Sequence, residues 1–136
     1  MPSSIIPLVP STCPFCTPDP TRIVARDQLT VVLRDAYPVT EGHSLVVPAR
    51  HLASLFDLSP AEFHAVWQAV AMTRRALSDD PTVAGVNIGL NDGVAAGQTV
   101  PHAHVHVIPR RTGDVADPRG GVRWVVPERA AWWETR

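Results

Sequence analysis

Three histidines alternate with small or β-branched residues in Pro101-His102-Ala103-His104-Val105-His106-Val107-Ile108-Pro109. A period of two belongs to an extended strand, whose successive side chains point to opposite faces. His102, His104 and His106 should therefore share one face, and Ala103, Val105 and Val107 the other. Exposed strand faces favour Thr, Tyr and Val, so a merely solvated face explains one histidine better than three. Imidazole titrates nearest neutrality and serves as nucleophile, proton carrier or metal ligand. One face reads as chemistry and the other as core.

The preceding stretch, Asn91-Asp92-Gly93-Val94-Ala95-Ala96-Gly97-Gln98-Thr99, is rich in turn formers and small residues and leads straight into the histidine strand. Gly97 lets a ligand approach the backbone, Gln98 and Thr99 offer amide and hydroxyl donors, and exposed backbone N–H groups can form an anion site. Beside three histidines, a small phosphate is the guest this loop suits. The competing reading is an ordinary turn.

The 136 residues suit one domain, enough to bury about two thirds of the unfolded surface. A formal net charge of −1 and a pI near 6.6, with no Lys/Arg cluster, argue against a nucleic-acid or membrane partner. No apolar run approaches the roughly 20 residues that span a bilayer, and Met1-Pro2-Ser3-Ser4 has no secretory character, so the expected compartment is cytoplasmic. The expected organisation is a single domain over 1–136, with an N-terminal arm (1–20), a catalytic core (21–111) and a C-terminal tail (112–136).

Patterning predicts an antiparallel α+β architecture. Thr21 to Arg26 and Leu29 to Arg34 read as a hairpin around Asp27-Gln28, and Gly42 to Pro48 as a third strand. Val83 to Leu90 and Val100 to Ile108 supply two more strands. One strong helix should start at Ser59, with Pro60 in the first position and Glu62 completing a capping box. Phe63, Val66, Trp67, Val70, Arg74 and Leu77 form its sheet-facing stripe, and His64 lies off that stripe as a surface residue.

Cys13-Pro14-Phe15-Cys16 suits a metal knuckle, a redox dithiol or a local disulfide. The lack of a secretory signal disfavours the disulfide, and Thr17-Pro18-Asp19-Pro20 forbids the helix that a thioredoxin-like dithiol wants. Zinc remains, needing two further ligands from a histidine-rich chain.

Asn91 through Arg111 resembles the signature of the histidine triad (HIT) superfamily of nucleotide hydrolases and transferases. The likeness extends upstream through Asp35-Ala36-Tyr37-Pro38, Gly42-His43-Ser44-Leu45-Val46-Val47-Pro48 and His51, covering about residues 13–111. Gln98-Thr99-Val100-Pro101 and Pro109-Arg110-Arg111 are similar to the branch that hydrolyses dinucleoside polyphosphates. The resemblance implies a HIT-like fold: a sheet of about five strands under one main helix, continuous across a homodimer. It implies a structural Zn2+ on Cys13, Cys16, His51 and His102. It makes His104 the nucleophile at the α-phosphorus, forming a nucleotidyl-imidazole that water resolves. His106 would bond the α-phosphate or bridging oxygen. Gln98 and Thr99 would hold other oxygens, where donors meet developing charge. Asp35 would grip the ribose hydroxyls, although a turn-capping Asp before Tyr37-Pro38 reads equally well. Asn91 matches a phosphate-side Asn and Gly97 the close-approach glycine. His43 also matches a family position, and as a His ahead of an apolar strand it reads as supporting structure.

Beyond Arg111 the chain is turn-rich, with interleaved arginines and tryptophans. Arg110, Arg119 or Arg123 would suit distal phosphates or a second nucleoside. The rival role is a dimer contact through Trp124, Trp132 and Trp133. Three functions follow: hydrolysis of dinucleoside polyphosphates such as diadenosine tetraphosphate; hydrolysis of nucleoside phosphoramidates, or nucleotidyl transfer, by the same His104; or non-catalytic nucleotide sensing, which the intact triad disfavours.

Overall fold

The computed structural model describes residues 12–134; residues 1–11 of the expected arm and the last two of the tail lie outside that range. Five strands, β1 (Ile23–Arg26), β2 (Thr30–Arg34), β3 (Ser44–Pro48), β4 (Gly85–Gly89) and β5 (Val105–Arg110), form one antiparallel sheet in the order β1-β2-β3-β5-β4. The main helix, α1 (Pro60–Leu77), packs on β2, β3 and β5, and a short α2 (Pro127–Ala130) lies in the tail. The α+β expectation holds.

Local chemistry sets the boundaries. Asp27 Oδ1 accepts the N–H groups of Leu29 and Thr30, closing the hairpin turn. Asp19 accepts the Thr21 N–H and starts a 3-10 turn over Pro20–Arg22, so β1 begins at Ile23, two residues later than the expected Thr21. Helix α1 opens with the expected capping box, Ser59 Oγ accepting from Glu62 N–H and Glu62 accepting from Ser59 N–H. Val66, Val70 and Leu77 are buried under the helix, Phe63 and Trp67 flank them, and His64 is exposed.

The triad strand is shorter than expected. Its register with β3 pairs Val46 with Val105 and, if continued, would set Ala103 opposite Pro48, which has no N–H to donate. The Ala103 N–H instead donates to Leu52 O, and His102 Nε2–H donates to Pro48 O. Val100 to His104 is thus an ordered, irregular approach to β5. The predicted sidedness survives: Ala103, Val105 and Val107 join Val32, Val46, Leu55, Val66 and Val70 in the core beneath α1. Across the sheet, Cys13, Phe15, Val31, Leu33, Leu45 and Val47 form a second cluster, which the 12–20 segment covers.

Candidate active site

The nucleophile candidate has its tautomer fixed by the backbone. His104 is 7% exposed and its Nδ1 lies 2.8 Å from His102 O. A carbonyl oxygen only accepts, so the proton is on Nδ1 and Nε2 carries the lone pair. The Phe15 ring abuts this imidazole edge-on, 5.0 Å between centroids.

A chain of tautomers also sets His106. The Val39 N–H donates to His43 Nδ1 at 3.1 Å, so His43 carries its proton on Nε2. That N–H donates to His106 Nδ1 at 2.9 Å, leaving His106 with its proton on Nε2 as a donor. Asp35 Oδ2 stands 3.4 Å from His43 Nε2, while its Oδ1 accepts the Tyr37 N–H at 2.7 Å. The turn-capping and site-facing readings of Asp35 therefore coexist on its two oxygens. Burial lowers the pKa of His43 and His104 below the ordinary imidazole value, and burial with the neighbouring His104 and His43 pushes His106 down to about 4. All three rings are neutral at pH 7. His43, read from sequence as support, is in direct contact with the triad. The signal for it was positional: β3 pairs with β5 so that Leu45 faces His106, and His43 precedes Leu45 by two on the same face.

Gln98 is corrected by its own hydrogen bonds. It is 4% exposed; its Nε2 donates to Ala53 O and Val100 O, and its Oε1 accepts the Gly93 N–H. With both amide hydrogens engaged it braces the loop and presents no donor to a phosphate. The N–H groups of Ala96, Gly97 and Gln98 likewise close on the carbonyls of Gly93 and Val94, so they form no anion nest. Gly97 has φ +97°, which explains the glycine. Thr99 is exposed and Asn91 half-buried.

Cys13, Cys16, His51 and His102 are brought together, one ligand atom from each lying within 4.8 Å of the others. Cys13 Sγ and Cys16 Sγ are 3.4 and 3.5 Å from His102 Nδ1, Cys16 Sγ is 3.2 Å from His51 Nδ1, and the two Nδ1 atoms are 3.2 Å apart. A zinc tetrahedron with bonds of about 2.3 Å to sulfur and about 2.0 Å to nitrogen has S···N edges of about 3.5 Å and N···N edges of about 3.3 Å. The spacing fits a metal. His102 Nε2–H is held by Pro48 O, which leaves Nδ1 unprotonated as a ligand must be. Burial and the adjacent Cys13 push the Cys16 thiol up to about 11, so a thiolate pair here needs a compensating cation.

The arginines expected at the distal phosphates, one in β5 and two in the tail, are already partnered. Arg110 bonds Asp114 and Asn87, Arg119 pairs with Asp117 and stacks 4.5 Å from the Trp133 centroid, and Arg123 donates to the carbonyls of Arg129 and Ala130. None is poised as a phosphate clamp.

Residues 17–113 match the HIT domain family. The sequence is 36% identical over 97 residues, 71% of this chain and 53% of the relative, to the asymmetrical bis(5'-nucleosyl)-tetraphosphatase of Schizosaccharomyces pombe. It is 37% identical over 117 residues, 82% of this chain and 58% of the relative, to the AP-4-A phosphorylase of Mycobacterium tuberculosis. The chain thus spans little more than half the length of these two relatives. A Zn-bound histidine triad family protein from Mycobacterium smegmatis superposes with a TM-score of 0.71 at 30% identity, covering 94% of this chain and 100% of that one. Because the family match runs from Thr17 to Gly113 and so takes in sheet, helix and triad alike, the chain belongs to the HIT domain family.

Proposed function

We propose that this chain is a nucleotide hydrolase that opens dinucleoside polyphosphates, such as diadenosine tetraphosphate, at the α-phosphate through a nucleotidyl-His104 intermediate. The observation that carries the reading is the Nδ1–H of His104 bonded to His102 O, which aims an unprotonated, neutral Nε2 away from the backbone. The His104 Nε2 lone pair forms the P–N bond while the bond from the α-phosphorus to its bridging oxygen breaks, and the nucleoside oligophosphate leaves with that electron pair. His106 Nε2–H donates to the oxygen on which charge develops. Water then attacks the phosphorus, nitrogen leaves, and a proton is released with the nucleoside monophosphate. Asp35, with lone pairs left beside its Tyr37 contact, accepts the ribose hydroxyls. Asn91, Gly97 and Thr99 flank the phosphates.

In this reading Zn2+ on Cys13, Cys16, His51 and His102 is structural, because four protein ligands leave no coordination position for water. A homodimer would continue the sheet through an edge strand, β1 or β4. Among the described residues no helix is long and apolar enough to cross a membrane.

The M. tuberculosis relative's name favours a second reading, in which orthophosphate replaces water as the acceptor for the same His104 adduct. Phosphoramidate hydrolysis differs only in the leaving group. Chromatography of the products formed from diadenosine tetraphosphate, with and without phosphate, separates the acceptors. Purified protein that binds AMP yet turns over neither a tetraphosphate nor an adenosine phosphoramidate would leave only the sensor role.

A further inference from the structure

Along β5 the catalytic face continues beyond His106 to Ile108 and Arg110, and β4 sets Gly89, Asn87 and Gly85 opposite them. Glycine opposite His106 and opposite Arg110 leaves this floor low. The tail returns over it: Gly120 and Gly121 adopt φ +95° and +50°, and a Cβ on Gly121 would meet Asn87 Nδ2 at 3.2 Å, so the chain descends onto the strand only as glycine. Trp124 is fixed by its Nε1–H donating to Arg119 O at 2.8 Å. Floor, tail and the loop residue Val39 enclose a cavity of about 570 Å³, within the range of small-molecule sites.

The position of this cavity relates it to the chemistry. Val39 also fixes the His43 tautomer, and Ile108 is the next residue after His106 on the same face, so two residues of the lining adjoin the His43–His106 pair, which itself lies outside the lining. The Phe15, Leu33 and Leu45 cluster lies on the other side of His106 in the strand order. The lining is apolar at Ile108, Val39, Val122 and Trp124, and its one arginine, Arg110, is neutralised by Asp114. It suits an uncharged planar ring rather than a phosphate.

We propose that this tail-roofed cavity binds the base of the leaving-group nucleoside, stacked on Trp124, and so selects substrates with a nucleoside at both ends. The assignment rests on the hydrolase reading above. It replaces the expected role of the tail arginines: the tail grips the distal base and leaves the distal phosphates to solvent.

The test compares kcat/KM of wild type and Trp124→Ala on diadenosine tetraphosphate and on adenosine 5'-tetraphosphate, which keeps the phosphate chain and lacks the second nucleoside. Wild type should prefer the dinucleoside by about tenfold or more, and Trp124→Ala should erase that preference chiefly through KM, changing the mononucleoside less than about twofold. Thermal melting and light scattering on both proteins register folding and association. A preference that survives in Trp124→Ala overturns the subsite, as do equal losses on both substrates. Dissociation of the variant assigns Trp124 to a second copy and overturns it too. A wild type active on both compounds without preference sinks the subsite alone, whereas one inactive on both sinks the hydrolase reading with it.

Discussion

His102 holds His104 through its own backbone, with the carbonyl of His102 accepting the His104 Nδ1–H at 2.8 Å while the His102 side chain faces Cys13, Cys16 and His51. One residue thus belongs to both clusters. Its side chain anchors the 12–20 segment, and its main chain selects the tautomer of the proposed nucleophile. His104→Ala removes the proposed nucleophile and leaves the loop and His106 in place. Turnover should be lost, with nucleotide affinity kept within about tenfold. More than a few per cent of wild-type kcat would reassign the nucleophile.

The metal cluster should act on stability first. Cys13→Ser, Cys16→Ser and His51→Ala should each lower bound zinc and Tm by more than they lower the activity of the folded fraction, because a closed site contributes folding free energy. Elemental analysis of protein purified without chelator measures the metal directly, and a preparation with none would remove zinc from the account.

Much of this was legible in the sequence because periodicity and ligand spacing are local. The Ser59 capping box, the α1 stripe and the apolar alternation of Ala103, Val105 and Val107 all follow from neighbours within a few residues. What escaped depends on pairing between distant segments. The late start of β5 comes from Pro48 lying across the sheet, and the contact of His43 with His106 comes from the β3–β5 register. Gln98 was misread for the same reason. A donor beside a turn looks available to a ligand until the fold brings the Ala53 carbonyl, 45 positions away in sequence, against it.

Gln98 therefore yields a structural prediction. Gln98→Ala would remove a buried side chain and the three hydrogen bonds it makes to the Gly93 N–H and to the Ala53 and Val100 carbonyls, costing about 1 to 3 kcal/mol at the usual net worth of such bonds. Denaturant unfolding should show that loss. A phosphate-binding Gln98 would instead leave stability near wild type and raise KM.

Acid should weaken the protein and its activity together. His106 is pushed from an ordinary 6.5 to about 4, chiefly by burial, and burial lowers His43 in the same direction. A histidine whose folded pKa is depressed binds its proton more readily in the unfolded chain, so the unfolded state gains protons first as pH falls. The stabilisation attached to neutral rings is intact above about pH 6.5 and declines as pH drops toward 4; for His106 alone it amounts to about 3 kcal/mol at most. Protonating His106 at Nδ1 also breaks its hydrogen bond with His43, since both rings would then offer a proton at the shared position, and protonating His43 at Nδ1 displaces the Val39 N–H that it accepts. Urea titrations from pH 8 to pH 4 should show stability falling monotonically on the acid side, with kcat/KM falling in the same window. His43→Phe keeps a buried ring without the proton, so it should remove one of the neighbours that depress His106. The acid limb of its pH–rate profile should then move toward higher pH. A limb that stays in place, with wild-type kcat, would mean that His43 does not govern the protonation of His106.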